Sequence, residues 1–572
     1  MPRESDVFRE RLYCIRWQTG EDGRVYAAPT KSDLEREEKA FKLLKKRFKD
    51  WQEQGFIPSM KIESGYNTDQ VIRERGWTHW HHLFNPRQLL VAGLVNSVSQ
   101  QISDDSETAC VTTLLLGKIV NRNARLSRWD QGSSKGQETF TDQALNPMYN
   151  YVSRGWIGAY SLELEPGSST IQYRGEINTL DARSITQPCD LWVTDPPYAD
   201  AVNYHELTEY FLAFYQPGLK NRFSKWSKES RRALAVKGSD QPFMQSMIDC
   251  YKNMTTHLAD DGYQVVMFTH QDASVWADLS TILWASGLQV VSAWCIATEA
   301  DSAMREGNYV KGTVFLLLRK RNSLETAFLD ELFPAVEDEV KKQVEQLINL
   351  DDTSDPNFGD SDIQLAAYAA ALRVLTSYAS IEDIDIESEI KRKDKNNSPI
   401  TKIIESAVKI ASEYLVPRGI DLSVWKKLTP TERLYLKGLD VETRGENRDS
   451  VYQELARGFG VPEYRELLAS SKANHVRLRT PNEFARKELD TPGFGSSLTR
   501  KIIFSIYEAK KSDGVIHGKN YLREEVSDYW SQKKLIVQIL DYLCSMRLKL
   551  THWKEDGDLA RLLKGAIEND HV

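Results

Sequence analysis

The chain has 572 residues, 74 Lys plus Arg against 82 Asp plus Glu, a net charge of −8 and 41% hydrophobic residues. This composition fits about three to four globular domains and excludes disorder as the dominant state. No apolar run reaches the roughly 18–20 residues of a membrane-spanning helix, and the charged start MPRESDVFRERLYCIRW lacks a secretory h-region, so a soluble, cytoplasmic protein is expected. The acidic balance leaves nucleic-acid binding to a local basic surface. The six cysteines are far apart with no CxxC pair, which points to neither a disulfide framework nor a zinc site.

Residues 1–165 read as an N-terminal region. A strand-like stretch (Leu12, Tyr13, Ile15, Trp17) precedes Ser32-Asp33-Leu34-Glu35, a capping-box pattern opening a basic amphipathic helix. Leu34, Phe41, Leu44, Phe48 and Trp51 lay one apolar stripe along it. A second apolar helix is predicted near Leu89–Val98 and a polar loop around Gly132–Gly136. Residues 166–325 alternate short apolar runs with helical patterns, the signature of an α/β layer. Predicted strands are Ser169–Tyr173, Asp190–Thr194, Tyr263–Thr269, Leu288–Trp294 and Gly312–Leu318, the last two as an antiparallel pair. Residues 326–400 read as a helical connector: a helix at 332–350, an acidic break, a helix at 365–378, then Lys391–Ser398 (KRKDKNNS) as a solvated linker. Residues 401–572 read as a helical C-terminal domain for DNA recognition or partner docking.

The most informative string is Asp190-Leu191-Trp192-Val193-Thr194-Asp195-Pro196-Pro197-Tyr198, an apolar run ending in Asp-Pro-Pro-Tyr. By itself this is compatible with a strand followed by a tight proline turn. It resembles the catalytic motif of the amino-group DNA methyltransferases, which use S-adenosylmethionine to methylate the exocyclic amine of adenine or cytosine. The resemblance implies a class I, Rossmann-like methyltransferase sheet, possibly incomplete, with an N-terminal extension and a mainly helical C-terminal domain. An exocyclic amine is a poor nucleophile because its lone pair is delocalised into the ring, so acceptors for its hydrogens favour the reactive nitrogen. Asp195 is the expected carboxylate acceptor and the Pro196 carbonyl the second. Pro196 and Pro197 fix the loop, and Tyr198 stacks on the extruded base. Asp at the first position favours adenine.

Other strings extend the resemblance. Phe84-Asn85-Pro86-Arg87-Gln88 looks like the motif that precedes a helix near the methionine end of the cofactor in many adenine methyltransferases. With Tyr66-Asn67-Thr68, Ala199 to Tyr204, Thr298-Glu299 and Leu316 to Arg321, it is similar to anti-phage-associated adenine-specific methyltransferases carrying a domain of unknown function. That family implies a bacterial defence or modification system, with double-stranded DNA and a complex subunit as partners. Phe84, Asn85, Pro86, Arg87, Asp181 and Thr194 are the expected cofactor-binding residues. The family's glycine-rich cofactor turn is not found. Gly493-Phe494-Gly495-Ser496-Ser497 reads instead as a helix N-terminus, and the chain begins as though the half carrying that turn were absent. The expected function is therefore an adenine-specific DNA methyltransferase; the alternatives are a non-catalytic DNA-binding or assembly subunit, or one half of a split enzyme.

Secondary signals carry two readings each. His79, His81 and His82 lack a matched carboxylate or cysteine and read as an aromatic cluster, with no metal expected. Lys220, Arg222, Phe223, Lys225 and Trp226, with Asn203 and Tyr204 upstream, are the expected DNA contacts; a solvated amphipathic loop is the alternative for Lys220–Lys228. Arg122, Arg125 and Arg128, spaced by three, read as a basic helical face or a capped helix end. His270 and Glu299 end predicted strands where α/β proteins bind ligands, and His475, Arg477, Arg479, Arg500 and Lys501 are scattered basic positions.

Overall fold

The computed structural model describes residues 3–19, 23–101, 106–130, 132, 135–140, 144–147, 175–197, 203–221, 223–227, 229–230, 232–238, 240–270, 272–297, 312–350, 360–417, 419–445, 448–470, 476–484 and 486–571. The predicted strand Ser169–Tyr173, and Tyr198, Arg222, Thr298, Glu299 and His475, lie outside them. The chain divides into two compact units, one of residues 1–181 and 200–237, the other of 182–199 and 238–572. This division differs from the sequential one expected above, because the segment after the Asp-Pro-Pro loop belongs to the N-terminal unit. Among the described residues no helix is long and apolar enough to cross a membrane.

Unit 1 opens with an antiparallel hairpin of β1 (Ile15–Thr19) and β2 (Gly23–Ala27). Helix α1 (Lys31–Glu53) starts two residues earlier than predicted: Thr30 is the N-cap, and its reciprocal partner is Asp33. Both Thr30 and Ser32 satisfy the capping pattern in sequence, and the backbone geometry selects Thr30. Leu44, Phe48 and Trp51 are buried as the stripe predicts, whereas Leu34 is exposed. Helices α2 (Thr68–Arg75), α3 (Pro86–Gln101), α4 (Ser106–Arg122) and α5 (Glu209–Asn221) complete the unit. A Cβ at Gly93 of α3 would stand 2.3 Å from the Trp51 ring, so glycine permits the close crossing of α1 and α3. The core joins Trp51, Leu89, Leu116, Tyr210 and Phe214. Helix α4 ends at Arg122, so Arg122, Arg125 and Arg128 share no helical face.

Two of the three histidines, His81 and His82, are tied into the fold. His82 Nδ1 accepts from the Thr78 amide at 3.2 Å, and its Nε2 lies 3.1 Å from the Arg3 carbonyl; His81 Nε2 lies 3.1 Å from the Asp6 carbonyl. These bonds tie the N-terminal segment to the core. Burial holds both rings neutral, lowering His81 to about 3 and His82 to about 4.

Unit 2 is a mixed sheet with helices. Strands β3 (Cys189–Thr194), β4 (Leu258–Phe268), β5 (Leu288–Ala297) and β6 (Gly312–Lys320) lie in the order β3-β4-β6-β5. β3 and β4 are parallel, whereas β6 is antiparallel to both β4 and β5. Helices α6 (Gln241–Thr256), α7 (Ala273–Ala285) and α9 (Asp360–Ser377), with α8 (Leu329–Leu350) packed on α9, supply the helical layer. Val266, Phe268, Val290, Val314, Leu316 and Leu318 form the buried side of the sheet. The other side carries the exposed Leu191, Val193, Trp294 and Ile296. Gln264 is fully buried beside Trp192 and Leu318, and neither of its amide atoms has a hydrogen-bond partner among the described residues.

Lys391–Ser398, expected as a solvated loop or linker, keeps Lys391, Lys393, Asp394 and Asn397 exposed but is also tied to its neighbours at two points. Lys395 pairs with Asp278 of α7, and Ser398 caps α10 (Pro399–Ser412) while donating to Glu389 at 2.7 Å. Further on, α11 (Pro430–Glu442) and α12 (Leu498–Lys511) are joined through buried Glu432. Its carboxylate accepts from the amide and hydroxyl of Thr429, both at 2.8 Å, and from those of Thr499 at 2.8 and 2.9 Å. Ser497 is the N-cap of α12, as predicted for the Gly493–Ser497 string. The scattered C-terminal cations serve the fold: Arg477 forks onto Glu483, Arg479 pairs with Glu488, and buried Arg500 lies over the Phe484 and Phe504 rings.

Candidate active site

The Asp-Pro-Pro loop leaves the C-terminal end of β3, an edge strand of the sheet among the described residues. Its position is fixed from behind. Trp192 Nε1 donates to the Met254 carbonyl of α6 at 3.1 Å, and Thr194 Oγ1 donates to the Val265 carbonyl of β4 at 3.2 Å, 3.3 Å from the Tyr251 hydroxyl. Before the strand, Asn253 donates to the Ala182 and Ile185 carbonyls, both at 2.9 Å. Asp195 therefore follows a strand anchored to helix and sheet, and is itself exposed, with Pro196 and Pro197 half-buried.

At the same end of the parallel pair, β4 leads into Thr269 and His270. His270 Nδ1 accepts from the Asp272 amide at 2.9 Å, and Asp272 caps α7. Asp195 and His270 thus follow neighbouring parallel strands, the end of an α/β sheet where ligands bind.

The other expected site residues belong to unit 1. Phe84 is buried, stacked on Tyr210 and edge-on to Phe214. Asn85 and Gln88 exchange reciprocal hydrogen bonds of 2.9 Å across the first turn of α3. The string Phe-Asn-Pro-Arg-Gln is thus locally a helix start, with Asn capping, Pro at the first position and Gln three residues after the cap. Arg87 is held by Glu37 at 3.3 Å. Asp181 is half-buried at the end of the first segment of unit 1.

Among the expected DNA contacts, Phe223 and Trp226 stack on each other with centroids 4.5 Å apart, and Trp226 Nε1 donates to the Ile177 carbonyl at 3.2 Å. The basic-aromatic loop is therefore internally folded. Lys220 and Lys225 are exposed, and Asn203 and exposed Tyr204 begin the helical turn Tyr204–Leu207.

Two carboxylates were not legible in the sequence. Buried Glu206 accepts from the amides of Tyr66, Asn67 and Thr68 at 3.0, 2.8 and 3.3 Å, where it holds the start of α2. A Cβ at Gly65 would stand 2.5 Å from this carboxylate. One turn on, Glu209 takes both arms of Arg232 at 2.6 Å and the Ser230 hydroxyl at 2.6 Å. That bond holds the Arg232 guanidinium above its ordinary range. Arg232 also donates to the Ser64 carbonyl at 3.0 Å. Lys61, Ser230, Arg232 and Lys220 line a cavity of about 870 Å³ in this unit. The available signal was the pair Glu206 and Glu209 beside the apolar run of α5, a spacing that places both on one helical side.

Comparison with protein-family models, with curated proteins and with solved structures finds no match to the chain.

Proposed function

We propose that the chain is a DNA methyltransferase that transfers a methyl group from S-adenosylmethionine to the exocyclic amine of adenine, within a bacterial defence or modification system. The observation that carries this reading is Asp195-Pro196-Pro197 at the C-terminal end of an anchored strand that runs parallel to its neighbour, with the carboxylate exposed. An extruded adenine meeting this loop presents its amine to the Asp195 carboxylate and the Pro196 carbonyl. Accepting both hydrogens concentrates the lone pair on nitrogen, and a prefixed loop does so without reorganisation.

The residues expected around the cofactor fit it less well. Phe84 belongs to the core, Asn85 caps α3, Thr194 bonds to β4, and Glu37 pairs with Arg87. This misfit, with the missing glycine-rich turn, favours as a second reading one half of a split methyltransferase completed by a partner chain.

The test is calorimetric titration with S-adenosylmethionine, followed by transfer of labelled methyl to an oligonucleotide containing adenine or hypoxanthine, which lacks the amine. The reading expects transfer to the adenine strand only. Transfer to both strands, or to neither, contradicts it.

A further inference from the structure

Unit 1 holds a second cleft, of about 450 Å³, at the start of α3. That volume lies within the range of small-ligand sites. Arg9, Arg11, Arg75, Arg87 and Arg125 line it, against only two carboxylates, Glu10 and Glu37. Glu38 pairs with Arg9 at 2.7 Å from outside the lining, so in a chain of net charge −8 the cleft keeps a local excess of two positive charges.

Arg9, Arg87 and Arg125 each meet one carboxylate, Glu38, Glu37 and Glu10, whereas Arg75 and Arg11 form no ion pair among the described residues. Arg75 donates from Nε and Nη2 to the Pro147 carbonyl at 3.2 and 2.8 Å. Arg125, with a side chain only 5% exposed, donates to the Phe8 carbonyl and lies 3.3 Å from Glu10. Carbonyl oxygens orient a guanidinium but cancel no charge. Arg11 is exposed. Burial pulls the Arg125 guanidinium below its ordinary range, the sign of a cation short of counter-charge. The positive end of α3 opens on the same cleft. At its rim Tyr13 is 69% exposed, an aromatic face beside fixed cations, as in proteins that bind single-stranded nucleic acid.

We propose that this cleft is an oxyanion site that takes phosphate groups, free or carried by a nucleic-acid strand. Forked guanidinium groups match phosphate oxygens two at a time, and a phosphate supplies the charge that Glu10, Glu37 and Glu38 leave unmatched. The Asp195 loop takes no part in this site, but Asn85, Pro86 and Arg87 of its lining are also residues expected at the cofactor, so phosphate and methionine are the competing occupants.

The experiment is calorimetric titration of the full chain with inorganic phosphate and with methionine, alongside anisotropy titrations with one oligonucleotide bearing a 5′-phosphate or a 5′-hydroxyl. Arg11→Ala and Arg75→Ala are compared with the parent, and thermal unfolding of each is recorded. Arg11 is exposed and outside the core, so its variant serves even if Arg75→Ala fails to fold. Phosphate binding that weakens about tenfold in each folded variant is expected, the loss of one charge-assisted contact. Binding of the 5′-phosphorylated strand alone assigns the site to strand ends. Equal binding of both strands, lost in the variants, assigns it to backbone phosphates. No saturable phosphate or oligonucleotide binding, or binding unchanged in Arg11→Ala, overturns the proposal. Binding of methionine in place of phosphate also overturns it, while leaving the methyltransferase reading standing.

Discussion

The start of β3 to Pro197 in unit 2 and residues 203–232 in unit 1 are close in sequence but use their carboxylates in opposite ways. Asp195 stands exposed beyond an anchored strand. Glu206 and Glu209 are buried and occupied by three amides, a hydroxyl and a guanidinium. A carboxylate enclosed in the core cannot meet a substrate, whereas one on an exposed residue at a sheet edge can. The two regions therefore separate what holds the molecule together from what the chain presents to a ligand.

The largest single-residue effect that sharpens this contrast is expected from Glu209→Ala. It strips Arg232 of its bidentate partner and leaves it the Ser64 carbonyl at 3.0 Å and exposed Glu63 at 3.7 Å. A loss of about 3–5 kcal/mol, the cost of uncovering one member of a buried pair, should appear in urea unfolding. A loss under about 1 kcal/mol, the worth of a surface pair, would erase the distinction.

Acid should also weaken unit 1, by up to about 3 kcal/mol for each of two histidines near pH 4. His81 and His82 are neutral in the folded unit, with values of about 3 and about 4 against an ordinary 6.5. Their contribution is present above pH 6.5 and is lost as pH falls below it, because the unfolded chain binds protons first. Hydrogen exchange of the 77–85 segment between pH 7 and 4 reads this out. Replacing both rings by Gln should flatten the profile.

A smaller effect of opposite sign is expected in the sheet of unit 2. Gln264→Leu removes two amide atoms without partners from the buried face and should raise stability by about 1 kcal/mol. A destabilised variant would mean that this amide is satisfied in solution.

These contrasts also explain what the sequence could reveal. The strands at 190–194, 263–269, 288–294 and 312–318 were legible because apolar runs bounded by turn residues report burial directly. The observed β4 begins earlier, at Leu258, since Asp260 and Asp261 interrupt the apolar pattern but not the backbone. The strand end at Asp195-Pro196-Pro197 was legible because its signal is local: an apolar run stopped by consecutive prolines. Glu206 was not, because its partners at Tyr66–Thr68 are well over a hundred residues away. Lys391–Ser398 misled in part for the same reason: composition shows charge, not that Lys395 meets Asp278. Arg125 looked like part of a basic surface because spacing alone does not show that α4 stops at Arg122.

The most direct test of the central claim is labelled methyl transfer from S-adenosylmethionine to adenine-containing DNA, measured for the parent chain and Asp195→Ala, each with its thermal unfolding curve. The account predicts that transfer falls by about 100-fold or more while the unfolding midpoint stays in place, because the side chain removed is exposed. Undiminished transfer by a folded Asp195→Ala variant would contradict it.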